Sequence, residues 1–374
     1  MVGFAGVELS GQTQAATHSR KVCSAIRSAG TARCHAVILT DYSDLTPLVA
    51  KAPQGYGPSA FKAAYGAHGT ATTHVAVVVA YDAPNIISDL ATYSKIFGLP
   101  VLQTCTAAVQ TACFEKLNQH GSTTSHPATN SSWAVEASLD VETIHGMCPG
   151  CRISLVEATS ASMTNLAAGV DEAVASGAEI ISNSYGGIES SNETAYDNHY
   201  ARPGITMVVS SGDGGYGATY PAASPAVVAV GGTTLQMSRA RVISEMAWSG
   251  AGSGCSSFER KPTWQHDKKC ALRSIADVAA DADPATGAAV YDSYATSSRS
   301  GWFTVGGTSL AAPLVAGMLA ATGNTSSQPS TLYNTNSSTV RDITGGTNGT
   351  CASYLCRAGV GYDGPTGLGV FSRP

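Results

Sequence analysis

The chain has 374 residues, of which 13% are charged and 40 are glycine, with a formal net charge of −5. That length suits one large or two modest domains with a well-buried core. Sparse, slightly acidic charge leaves no basic footprint for nucleic acid, and the apolar runs 75–80 and 310–321 are too short to span a bilayer.

Residues 1–54 read as an N-terminal extension carrying one cysteine couple, Cys23 and Cys34, which favours a place in the mature protein. Residues 1–19 show neither the basic start nor the apolar core of an export signal. The run Pro53-Gln54-Gly55-Tyr56-Gly57-Pro58 then breaks the chain ahead of a larger domain over 55–374. Within it, valine- and isoleucine-rich strands are expected at 75–80, 153–157, 179–183, 205–210 and 227–230. Helices are expected at 59–65, 85–97, 133–144 and 163–176, and a surface loop at 323–339. This alternation predicts an α/β protein with a mostly parallel central sheet flanked by helices, its ligand site at the carboxyl ends of the strands.

The other cysteines also fall in local couples: Cys105 and Cys113, Cys148 and Cys151, Cys255 and Cys270, Cys351 and Cys356. Ten cysteines so spaced point to five disulfides and an oxidising compartment, hence secretion, although spacing alone does not fix the pairing. Five Asn-x-Ser/Thr sites begin at Asn130, Asn192, Asn324, Asn336 and Asn348.

Four polar residues carry the chemistry. Ser309 follows the turn Gly306-Gly307-Thr308 and opens an apolar helix, a position that suits either a helix cap or a nucleophile beside unpaired backbone N–H groups. Glu136 and Asp140 stand four apart on a helix that is apolar over much of its circumference. Buried together, such carboxyls share a proton and act as base and orienter. Asp213 follows the strand 205–210 among glycines and is either a turn aspartate or a site acid. The surrounding Gly212-x-Gly214-x-x-Gly217 does not read as a dinucleotide loop, because 218–221 is a poor helix start.

Together Glu136-x-x-x-Asp140, Ser-Gly-Asp213 and Gly-Thr-Ser309-x-x-x-Pro313, in that order, resemble the sedolisin family of serine-carboxyl peptidases over about 55–369. The resemblance implies a subtilisin-like fold in which Ser309 attacks a peptide carbonyl, Glu136 takes its proton, Asp140 orients Glu136, and Asp213 donates to the oxyanion. It places substrate against Ser184, Tyr185 and Gly186; Tyr185 stands where the family often has Trp, and Val79 where it often has a further acid. It also implies one structural Ca²⁺, bound by the side chains of Asp342 and Asp363 and the carbonyls of Ile343, Gly359 and Gly361; oxygen-only donors suit that hard cation. The expected partner is a polypeptide substrate, with no nucleic acid or membrane, and the expected state is a monomer. The nearest alternative is a subtilisin-type Ser-His-Asp peptidase. It would need Asp82 and a histidine opening a helix after it, where the chain instead presents Glu136; His68 and His74 precede Asp82. A calcium-stabilised binding protein on the same scaffold is a further alternative.

Overall fold

The computed structural model describes residues 18–26, 28–41, 46–67, 69–296, 299–325, 327–334 and 339–372. An 11-stranded sheet forms its centre. Its middle runs Cys113–Asn118, Arg152–Ala158, His74–Ala80, Ile180–Asn183, Thr206–Ser210, Val228–Ser238 and Val278–Asp281, every neighbouring pair parallel. Val75 to Val79 are buried without alternation, because helices cover both faces of a parallel sheet. The helix Met163–Ala175 packs on His74–Ala80 and Arg152–Ala158, while Ser131–Met147 and Thr308–Ala321 pack against each other and the sheet.

These last two helices position the candidate site. In Ser131–Met147 the side chain of Asn130 caps the start, accepting from Ser132 N at 3.0 Å and Trp133 N at 3.2 Å. Every residue from Trp133 to Met147 is buried, so its carboxyls lie inside the protein. In Thr308–Ala321 the N-cap is Gly307, with no side-chain cap bond, and Ser309 lies inside the first turn. The capping reading of Ser309 therefore falls away. Pro313, four residues on, has no N–H to offer the Ser309 carbonyl. That oxygen instead accepts from Ser184 Oγ at 3.5 Å.

A second sheet, of four strands, runs His18–Lys21, Val37–Thr40, Arg299–Gly306 and Ala288–Thr296, all antiparallel. It carries residues of the extension onto the larger domain and delivers Arg299–Gly306 directly into the Ser309 turn. All five cysteine couples are closed as disulfides. No helix starts after Gly212–Gly217; the chain passes through turns instead. The segment expected as a surface loop at 323–339 contains a short helix, Pro329–Asn334, because Leu332 is drawn into the core. Asn348 is buried and its side chain holds Ala251 O and Ser253 Oγ at 2.6 and 2.7 Å, so folding closes that glycosylation motif; Asn336 lies outside the described residues. Among the described residues no helix is long and apolar enough to cross a membrane.

Candidate active site

Glu136, Asp140 and Ser309 have no exposed surface, and Asp213 is 6% exposed. Glu136 Oε2 accepts the backbone N–H of Ala36 at 3.0 Å, and Oε1 has no hydrogen-bond partner. Burial, then the neighbouring Asp140, pushes the Glu136 carboxyl well above the usual range, with Ser309 among the groups that oppose the rise. Asp140 Oδ1 accepts from Ser184 Oγ at 2.7 Å while Oδ2 is unpartnered; burial pushes this carboxyl up as well. Asp140 and Glu136 are thus coupled through their charges, with one free oxygen on each. The Ser309 hydroxyl donates to the Ser184 carbonyl at 3.2 Å.

Asp213 follows the strand Thr206–Ser210, where Thr308 fixes it. Its Oδ1 accepts from Thr308 N at 2.8 Å and Thr308 Oγ1 at 2.9 Å, and Oδ2 is buried and unpartnered. Burial pushes the carboxyl up to about 6, against the opposing pull of those bonds and of Lys21 and Arg33. Below that pH it carries a proton and can donate a hydrogen bond.

The strand Tyr185–Gly187 forms the rim of a cavity of about 450 Å³ that Arg33, His35, Asp213, Tyr216 and Phe258 also line. Gly186 and Gly187 line this cleft, while Ser184 is buried behind it, its carbonyl accepting from His35 N at 3.2 Å and from Ser309 Oγ. The Tyr185 ring does not line it: it is fully buried behind the strand, bonded to Asn183 Oδ1 at 2.9 Å, so the exchange for Trp alters the core. The sequence reading passed over His35. Its Nδ1 lies 2.7 Å from Ser210 Oγ, and burial holds its pKa down to about 3, so it stays neutral and bonds Ser210 rather than Ser309.

Asp82, which the histidine-based alternative needs, is committed elsewhere, and His126, which follows it in the chain, lies in a loop rather than at the start of a helix. Lys116 Nζ lies 2.5 Å from Asp82 Oδ1 and 3.5 Å from Glu157 Oε1, and His126 Nδ1 lies 3.0 Å from Glu157 Oε2. Asp82, His126 and Glu157 bring ligand atoms within 4.8 Å of one another, but Lys116 already supplies the cation. His68 lies outside the described residues.

Of the predicted cation ligands, Asp342 and Asp363 are tied to the loop that carries Gly359 and Gly361. Asp342 Oδ2 accepts from Gly361 N at 2.8 Å and Asp363 Oδ2 from Gly359 N at 3.0 Å, drawing both carboxylates onto one loop. Burial raises Asp363 to about 7, with Asp342 adding to the rise. Among the described residues the carbonyls of Ile343, Gly359 and Gly361 accept no backbone hydrogen bond. Facing carboxylates with free carbonyls fit an oxygen-preferring cation.

The comparisons place this architecture. The subtilase family model matches residues 48–350. Sedolisin of Pseudomonas sp. (strain 101) is 28% identical over 369 residues, covering 86% of this chain and 60% of that protein. Kumamolisin of Bacillus sp. (strain MN-32) is 31% identical over 275 residues, covering 63% of this chain and 48% of that protein. The structure of Pseudomonas sedolisin, a serine-carboxyl proteinase complexed with pseudo-iodotyrostatin, superposes with a TM-score of 0.71 at 27% identity, covering 85% of this chain and 96% of that one. The fold is subtilisin-like. The chain belongs to the subtilase family and, by these relatives, to its sedolisin branch. It spans 60% or less of the length of these two curated relatives.

Proposed function

We propose that the chain is a secreted, acid-active serine-carboxyl peptidase that hydrolyses peptide bonds of polypeptides. Ser309 is the nucleophile, Glu136 its base, Asp140 the group that holds and polarises Glu136, and Asp213 the donor to the tetrahedral oxyanion. The observation that carries this reading is electrostatic. Glu136 is buried within reach of Asp140, Ser309 and Asp213 at once, while His35 in the same cleft bonds Ser210. A carboxyl base keeps its function in acid, where imidazole is protonated. Ser184, Tyr185 and Gly186 supply backbone for an extended substrate to pair with. The five disulfides support an oxidising, extracellular setting. In an acid assay on denatured protein, hydrolysis that Ser309→Ala abolishes supports the reading; absence of any turnover would favour a binding scaffold.

One Ca²⁺ ion held by Asp342, Asp363 and the carbonyls of Ile343, Gly359 and Gly361 belongs to this proposal. It would tie the C-terminal loop to the sheet edge at Val340–Arg341. At a hundredfold excess over its Kd such an ion stabilises the fold by about 2.7 kcal/mol. A chelator is therefore expected to lower Tm in the wild type and not in Asp363→Asn; equal Tm with and without chelator in the wild type would remove calcium from the account.

A further inference from the structure

The strand His74–Ala80 ends on Tyr81, whose φ is +67. The turn itself needs that angle: Tyr81 N still donates to Ala158 O at 2.8 Å, while Asp82 N has already swung out to Ala128 O at 3.0 Å. Glycine takes a positive φ freely, whereas a bulky residue there is an outlier held against steric strain. Among the described residues the chain puts glycine at 18 positions of positive φ and other residues at four, of which Tyr81 alone is aromatic. The backbone would be served best by glycine, so the ring answers to something else. It lies beside Trp133, with centroids 6.4 Å apart and planes tilted by 59°. Trp133 is fixed in the first turn of Ser131–Met147, its N–H on the Asn130 cap. Three residues on, and so on the same face of that helix, stands Glu136. Tyr81 and Trp133 together wall a cavity of about 370 Å³ that Cys23 and Ala32 also line.

Residues Ala32–Cys34 mark the path of an extended chain past this cavity. They pair antiparallel with Tyr185–Gly187, matching Ala32 with Gly187 and Cys34 with Tyr185, and Ala32 N donates to Ala161 O at 2.8 Å. Successive side chains of a strand point to opposite faces. Arg33 and His35 line the cavity beside Asp213, so Ala32 and Cys34 face the other way; Ala32 and the disulfide partner of Cys34 both line the aromatic cavity. A chain on this path brings the residue in the place of His35 to the serine, and the one before it, in the place of Cys34, to the two rings.

We infer that Tyr81 is a specificity-determining residue: with Trp133 it receives the substrate side chain immediately before the scissile residue and selects a large apolar one. The inference rests on the proposed function and on a polypeptide substrate taking the path of Ala32–Cys34. The lining sets the class. Two rings supply apolar area, while Asn130, Ser132 and Ala161 beside them carry no charge. Asp82, next in the chain, is held by Lys116. A charged side chain would lose its water here without gaining a counter-ion.

The test measures kcat/KM of the full chain at pH 4 on two peptides alike except at this position, leucine in one and alanine in the other, with the cut bond identified by mass. Wild type is expected to favour the leucine peptide by about tenfold or more, and Tyr81→Gly to cut that preference to about twofold. Tyr81→Phe keeps it, because the ring and not the hydroxyl makes the wall. Tm of Tyr81→Gly is expected at or above that of wild type, since glycine relieves the backbone, and Tyr81→Ala, which keeps the disfavoured φ, melts below Tyr81→Gly. A leucine preference that Tyr81→Gly leaves intact overturns the inference and leaves the peptidase reading standing. So does a preference lost together with a fall in Tm, which would assign the ring to packing. Hydrolysis of neither peptide by wild type overturns both.

Discussion

Changing Asp213 to asparagine extends peptide hydrolysis from acid toward neutral pH. The wild-type carboxyl sits near 6 because it is buried, and it donates to an oxyanion only while protonated. Above that point kcat/KM falls about tenfold per pH unit, because an ionised carboxylate would face the developing negative charge. An amide keeps a donor at every pH. The variant's profile should therefore be flat where the wild type declines, so that the two curves cross. The check is kcat/KM from pH 3 to 9, below Tm; an alkaline limit unmoved by the substitution would remove Asp213 from the oxyanion site.

The fold itself is expected to be most stable in acid, which is the reverse of ordinary proteins. Burial pushes Glu157, Glu193 and Glu259 up to about 8 and Asp292 to about 6, and lifts Glu142 and Asp281 well above the usual range. Each raised carboxyl binds its proton more tightly folded than unfolded. Its contribution is complete below the unfolded value near 4 and is lost as pH rises through the folded value. Three buried histidines work the other way: His35 is held at about 3 and His74 and His145 at about 4. Their contribution is present above about 6.5 and is lost as pH falls through those values. From pH 8 to 6.5 only the carboxyls titrate, and stability rises. Below that the histidines partly offset the gain, so the maximum falls near pH 4. Tm should rise by about 10 °C or more between pH 8 and pH 4. A Tm that falls steadily over that interval would show that these carboxyls are ionised in the fold.

The central strands and the helices around them were legible because their signals are local. The helix Ser131–Met147 is apolar over much of its circumference, which reads as buried, and that in turn marked Glu136 and Asp140 as carboxyls without solvent. Asp213 and Ser309 were legible from glycine turns at the ends of a strand and the start of a helix. The strand Ala32–Cys34 was not. Three residues, Ala-Arg-Cys, carry no alternation, and their extended form is imposed by the free edge of Tyr185–Gly187. His35 was missed for the same reason, since its role depends on where that pairing places it. The helix Pro329–Asn334 lies in a polar stretch, and one apolar side chain reaching the core sets it. The direction of the Tyr185 ring depends on which face of the strand meets the core, which no motif states.

The measurement that bears most directly on the central claim is kcat/KM at pH 4 for Glu136→Gln beside Ser309→Ala and the double variant. If a carboxyl activates the serine, each single change lowers the rate by about 10⁴-fold or more, and the double variant is little worse than either, because the groups act as a unit. A Glu136→Gln enzyme that keeps its activity within about tenfold of wild type, with Ser309→Ala dead, would contradict the account and return the base to an imidazole.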